Sequence, residues 1–296
     1  MKRLKKYKNW DFTIEIFSDW TKTITWEWKP KFPICIDVKI TDYCDAWCAY
    51  CHEKSTVEWK HCDVENIKIF WYLPKWTEIA IWGGNPLSHP KLGKILYDLK
   101  DRFGLIPNLT VNSFHLKDPL LQELIDDGDI YWLWVSYNRL FKKDIINLKY
   151  ENMVVHTIAW IHTYDEILEL LKAWKKVLIL GYKTFWRWIN YSKWMVETIE
   201  KNILELYRKL PYLFWEWVLS FDNLAIEQLK PQRFFTKETW ESRYMGDDGQ
   251  FTMYIDLVKN EYGLNSISNT RYKIPKFKTD GHNQMEEIFQ KIYDLK

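Results

Sequence analysis

Apolar and polar residues alternate in Phe12-Thr-Ile-Glu-Ile-Phe and again over 23–28. A period of two predicts an N-terminal hairpin or flap, ending at Pro30 and Pro33. Beyond it, short β-branched apolar runs alternate with stretches of helical period. Strands are predicted over 34–40, 78–82, 108–111, 131–136, 154–160, 177–180 and 214–220. Helices are predicted between them, over 64–73, 92–103, 119–126, 164–174 and 193–209. Such alternation implies parallel βα units, and six or more imply an α/β full or partial barrel, with its site at the C-terminal ends of the strands. After Pro231 the pattern weakens. A strand pair over 251–258 and 265–274 and a closing helix over 284–295 are expected there. The chain therefore divides into a flap (1–33), a barrel (34–230) and a C-terminal extension (231–296).

Charge narrows the function classes. The 296 residues carry a net charge of +2, which gives no electrostatic case for a nucleic-acid or membrane-surface binder. No run approaches the ~18 apolar residues of a membrane helix, and the Lys-rich start over 1–8 precedes no apolar segment of a secretory signal. A cytoplasmic protein is expected. Of five cysteines, Cys44, Cys48 and Cys51 fall within eight residues, a poor disulfide framework. Cys35 reads as a core thiol and Cys62 as a loop bystander.

The spacing Cys44-x3-Cys48-x2-Cys51 begins just after the first barrel strand. Three thiolates can hold three irons of a [4Fe–4S] cluster and leave the fourth iron open. The amino and carboxylate groups of S-adenosylmethionine can chelate such an iron, and its sulfonium can accept an electron there. Two other readings use the same residues: a zinc site with His52 as fourth ligand, and a redox pair of Cys48 and Cys51.

With Tyr50 at the aromatic position before Cys51, the Cys-x3-Cys-x-aromatic-Cys pattern resembles the radical S-adenosylmethionine superfamily over residues 34 to 230. A second motif agrees: Ile79-Ala-Ile-Trp-Gly83-Gly84-Asn85-Pro86 looks like the family's Gly-Gly-Glu-Pro segment, which binds the methionyl amino group. Asn85 replaces the usual Glu and offers an amide oxygen without the charge. The resemblance implies a partial (β/α)6 barrel. It places Asn112, Ser136 and Asn138 where relatives hold the ribose or carboxylate. Ile158, in His156-Thr-Ile158-Ala-Trp160, resembles the family's adenine-binding stretch, and Gly181 with Tyr182 ends the sixth strand, where relatives set backbone against adenine. Lys183 and Arg187 are candidates to anchor a substrate or the cofactor carboxylate, and Asp222, Asn223 and Gln228 to contact substrate. The segments at 219–229 and 244–256 look like a bacterial and phage subgroup without an assigned reaction. The C-terminal part holds no cysteine for the auxiliary cluster of peptide-modifying relatives.

The implied chemistry is reductive cleavage of S-adenosylmethionine to a 5′-deoxyadenosyl radical, which abstracts hydrogen from a substrate. A one-electron reductant such as flavodoxin or ferredoxin is then a partner, and the substrate is a small molecule, nucleobase or peptide. No catalytic side chain stands out. The alternative is an iron–sulfur or zinc-binding interaction protein that does not cleave S-adenosylmethionine.

Composition adds an anomaly, 19 Trp against 10 Gly, when glycine ordinarily contributes ~7% of residues. The tryptophans fall where glycine is wanted: Trp47 in the cysteine loop, Trp82 before Gly83, and Trp160 in the adenine stretch. Trp186 and Trp188 flank Arg187, and Trp59, Trp76 and Trp174 occupy loop or helix-end contexts. Trp132 with Trp134, and Trp215 with Trp217, come as pairs. The expectation is that most of these are UGA codons read as glycine in the source and written here as tryptophan. Trp240 reads as authentic.

Overall fold

The computed structural model describes residues 2–9, 12–17, 22–26, 29–53, 55–184, 187–276 and 281–295. The flap is a three-stranded antiparallel sheet of β1 (Arg3–Asn9), β2 (Phe12–Phe17) and β3 (Lys22–Trp26). The alternation found β2 and β3; the Lys-rich β1 hides its period. Residues 27 and 28 of the expected hairpin lie outside the described residues. Ile14 of β2 is buried against Ile34 and Phe251, which docks the flap on the barrel.

The main sheet contains β4 (Cys35–Thr41), β5 (Glu78–Gly83), β6 (Ile106–Asn112), β7 (Trp132–Ser136), β8 (Met153–Ile158) and β9 (Lys176–Leu180). It continues with β10 (Leu219–Phe221), β11 (Thr252–Asp256), β12 (Glu261–Gly263) and β13 (Tyr272–Lys273). The order is β10-β9-β8-β7-β6-β5-β4-β11-β12-β13, parallel from β10 through β11 and antiparallel beyond. This is an α/β partial barrel with crossover helices on its outer face.

Polar caps start several of those helices. Asp118 accepts from Leu120 N–H ahead of Pro119–Asp126, and Thr163 forms a capping box with Glu166 ahead of Tyr164–Lys172. On β4, Ile36, Val38 and Ile40 are wholly buried under the helices, while Asp37 between them faces the lumen. Each such aliphatic side chain contributes ~1.5–3 kcal/mol by burial.

Several expectations shift. The strand expected at 154–160 stops at Ile158, because residues 159 and 160 turn. Of 214–220 only the end is strand, and Phe214 instead caps the helix Val196–Leu213. The helix expected at 193–209 is two, Arg187–Trp194 and Val196–Leu213. In the extension β11 joins β4 directly, residue 252 opposite 35, and the 265–274 strand is replaced by the short β12 and β13. Among the described residues no helix is long and apolar enough to cross a membrane.

Candidate functional site

The cysteine loop leaves β4 at the C-terminal edge of the sheet. Tyr43 N–H donates to Thr41 Oγ1 (3.0 Å), Cys44 N–H to the Thr56 carbonyl (3.0 Å) and Cys51 N–H to the Cys48 carbonyl (3.2 Å). Beneath it Lys39 is 1% exposed and pairs with Asp42, Glu53 and, at 3.9 Å, Asp256 of β11. Burial alone would lower the Lys39 pKa, but the carboxylates of Glu53, Asp42 and Asp256 outweigh it and hold the ammonium charged. This buried ion cluster ties strand, loop and extension together.

Two further anchors fix the loop. Arg187 donates to the carbonyls of Cys48 (3.4 Å) and Ser55 (3.2 Å). Asp45 accepts from Asn85 Nδ2 (3.2 Å) and lies 2.7 Å from His115 Nε2. Gly84 N–H donates to the Thr41 carbonyl (2.9 Å) and Asn85 N–H to the Tyr43 carbonyl (2.6 Å), joining the end of β5 to the loop backbone. Only glycine permits that approach: a Cβ on Gly84 would lie 2.0 Å from the Tyr43 oxygen, and one on Gly83 (φ 154°) 2.3 Å from the Thr41 oxygen.

Cys44, Cys48 and Cys51 all open into one cavity of about 400 Å³ at this end of the barrel. Tyr50, Gly83, Gly84, Asn112, Ser136, Ile158 and Gly181 line it with them. Three of the expected cofactor contacts lie off the wall. Asn85 is 4% exposed, its amide oxygen accepting from Leu87 N–H (3.1 Å). Asn138 likewise caps a short helix through Leu140 N–H (3.0 Å). Tyr182 is buried, with Gln228 clamping its N–H and carbonyl at 2.8 Å each, so Gln228 is a structural tie. Trp186 and the side chain of Trp188 lie outside the described residues.

All five cysteines are unpaired by disulfide. Burial pushes the Cys48 thiol up to about 11 and raises that of Cys44. Asn112 Nδ2 reaches Cys48 Sγ at 3.3 Å. Among the described residues no three His, Cys, Asp or Glu side chains converge to hold a single ion. Three thiols spread around one cavity suit a multi-iron cluster, in which each thiolate takes its own iron, better than one tetrahedral zinc. The two cysteines outside the motif differ from expectation. Cys62 is 7% exposed in the core beside His89, and Cys35 is only half-buried.

On the opposite lining, sequence reasoning named Lys183 and Asp222 as candidates for substrate or cofactor contacts and missed Asp37 and Asp248. Asp37 of β4, Lys183, Asp222 and Asp248 share the cavity and lie within one another's electrostatic reach. Although Asp37 is open to the lumen, the desolvation imposed by the surrounding cavity wall pushes its carboxyl up to about 6. Lys183 Nζ donates to His52 Nε2 (3.1 Å) and Ser266 Oγ (3.4 Å), and burial keeps His52 neutral. Asp222 accepts from Gly181 N–H (2.8 Å) and Ala225 N–H (2.7 Å), and Asp248 from Asn223 and Asn265 (2.7 Å each). The lumen-facing position of Asp37 in a period-two strand was the available signal. His156 is 9% exposed, and burial pushes it down to about 4.

The fold is similar to that of "Crystal structure of Streptococcus suis SuiB bound to S-adenosylmethionine", with a TM-score of 0.56 and 13% identity over 89% of this chain and 67% of that one. It is also similar to "Native anSMEcpe with bound AdoMet", with a TM-score of 0.50 and 13% identity over 86% of this chain and 82% of that one. At such identity the likeness is one of fold, an α/β partial barrel. No protein-family model matches the chain, and no curated protein matches it.

Proposed function

We propose that this chain is a radical S-adenosylmethionine enzyme. One observation carries the reading: the three cysteines, the Gly83–Gly84 backbone and the ends of β6 through β9 meet at a single cavity, in a fold shared with structures that bind S-adenosylmethionine. Cys44, Cys48 and Cys51 would hold a [4Fe–4S] cluster, and Asn112 would donate to the Cys48 sulfur. When bound, the cluster supplies one electron to the sulfonium of S-adenosylmethionine, and the resulting 5′-deoxyadenosyl radical takes hydrogen from the substrate.

The chain's own part is to bind, orient and exclude water. Gly83 and Gly84 would let backbone approach the methionyl end, with Ser136, Ile158 and Gly181 along the nucleoside and Tyr50 beside the cluster loop. Asn85 would act from behind the wall, through Asp45, rather than on the methionyl amine. Asp37, Lys183, Asp222 and Asp248 would face the substrate, whether small molecule, nucleobase or peptide. Three carboxylates against one ammonium favour a substrate that brings a cationic or hydrogen-bond-donating group. A one-electron reductant such as flavodoxin or ferredoxin would serve it, in a reducing compartment that keeps the thiols free.

Anaerobic reconstitution tests this. The expected result is about four irons per chain, lost in Cys48→Ala, and 5′-deoxyadenosine released on adding dithionite and S-adenosylmethionine. Iron without that product would leave an iron–sulfur binding protein, and zinc in place of iron would sink the reading.

A further inference from the structure

Six residues other than glycine have left-handed backbone among the described residues, and four of them are tryptophan. They are Trp47 (φ 47°), Trp76 (φ 74°), Trp160 (φ 73°) and Trp174 (φ 61°); the others are Lys230 and Asn260. Side chains bearing a Cβ avoid this region, and bulky ones are outliers there. Tryptophan is among the least suited residues to occupy it repeatedly.

Each of three sits where a defined turn demands a positive φ. Trp174 closes the helix Tyr164–Lys172: its N–H bonds the Leu171 carbonyl (2.9 Å), and Lys175 N–H bonds that of Leu170 (3.1 Å). That pair of bonds is the common left-handed helix stop, whose central residue is usually glycine. The helix Pro119–Asp126 ends in the same way at Gly128 (φ 67°), with Gly128 N–H on Ile125 (3.2 Å) and Asp129 N–H on Leu124 (2.9 Å). The helix ending at Arg102 also stops at a left-handed glycine, Gly104 (φ 72°), though its bonds reach one residue further back, Gly104 N–H to Lys100 (3.2 Å) and Leu105 N–H to Leu99 (2.9 Å). Three crossover helices stop at a left-handed residue, and the stop at Trp174 has the same bonds as that at Gly128; two of the three use glycine and the third shows tryptophan.

Trp76 and Trp160 are third residues of four-residue turns closed by Thr77 N–H to Pro74 and Ile161 N–H to Ile158, 3.2 Å each. A positive φ at that place defines a type II turn, which takes glycine or asparagine. The indoles make surface contacts, Arg187 lying 5.6 Å over the Trp47 ring and Trp217 meeting Trp174 edge to face at 4.8 Å, and none of these contacts requires a left-handed backbone. Trp47, Trp76 and Trp174 are 62%, 43% and 70% exposed. Trp160 is worse placed, because its Nε1–H is buried with no hydrogen-bond partner.

We infer that positions 47, 76, 160 and 174 are glycine in the protein its source makes, through a codon, UGA, read there as glycine and rendered here as tryptophan. The excess of 19 Trp over 10 Gly has the same origin. Trp82 and Trp134 have ordinary backbone and join only if they share that codon; as glycines they would widen the cavity they now line. The inference rests on backbone geometry and stands whether or not the chain binds S-adenosylmethionine.

Peptide mass mapping of the protein isolated from its native source, read beside its gene, tests this directly. The expected result is UGA at codons 47, 76, 160 and 174, with glycine in the peptides that span 160 and 174. UGG codons overturn the inference, as do UGA codons with tryptophan in the peptides.

Discussion

Gly84→Ala isolates the contact on which the site depends. The added Cβ would stand 2.0 Å from the Tyr43 oxygen, 2.5 Å from the Tyr43 carbonyl carbon and 2.8 Å from Cys44 Cβ. Two of those atoms are backbone, so no rotamer change relieves the clash, and the end of β5 must move about 1 Å from the cysteine loop to restore ordinary contact. That movement weakens two hydrogen bonds, Gly84 N–H to Thr41 and Asn85 N–H to Tyr43. Overpacking costs ~1–3 kcal/mol and each bond ~0.5–1.5 kcal/mol. A destabilisation of about 3 kcal/mol follows, roughly 6 °C in Tm for a chain of this size. Because Cys44 is pushed directly, iron retention after reconstitution should fall further than stability alone requires. Gly93→Ala is the control: nothing lies within 4 Å of its Cβ, and a helical alanine should add up to ~1 kcal/mol. Thermal unfolding and iron analysis of both variants decide. A Gly84→Ala protein that melts within ~0.5 kcal/mol of the parent and keeps its iron would refute the reasoning.

Other consequences are as specific. Lys39→Met strands Asp42, Glu53 and Asp256 without their buried counter-charge and should cost ~3–5 kcal/mol in denaturant unfolding; a loss under ~1 kcal/mol would show that the cluster is not a tie. Arg187→Ala removes the donor shared by the Cys48 and Ser55 carbonyls, and reconstituted iron should then be lost faster to a chelator with little change in Tm. An unchanged loss rate would remove Arg187 from the anchoring account. Asp37 ionises near pH 6 in the folded chain, above its ordinary 3.8, so the folded state holds a proton that the unfolded state has released. Its contribution to stability therefore falls as pH rises from about 4 to 6. Asp37→Asn should melt higher relative to the parent at pH 7 than at pH 4, and a pH-independent difference would contradict the desolvation of that carboxyl in the cavity.

The barrel was legible because parallel strands buried on one face show as apolar runs, so β4 through β9 were found within two residues at most ends. β11 joining β4 was not, since its partner lies some two hundred residues away and no local pattern encodes that pairing. The structure brings the three cysteines and two glycines to one cavity, and that meeting was legible because their motifs sit at the ends of neighbouring strands. Asn85 and Asn138 were read as ligand contacts but spend their side-chain oxygens on the backbone of the next turn, as short polar residues after strands commonly do. Asp37 was masked by Ile36 and Val38, although the same alternation that buries them aims it into the lumen.

The central claim is that Cys44, Cys48 and Cys51 hold a cluster with one iron left open for S-adenosylmethionine. Electron paramagnetic resonance of the reduced, reconstituted chain tests it most directly. The account predicts a [4Fe–4S] signal that changes shape on adding S-adenosylmethionine and is absent from Cys44→Ala, Cys48→Ala and Cys51→Ala. A cluster signal indifferent to S-adenosylmethionine, or one that survives loss of any of the three cysteines, would contradict it.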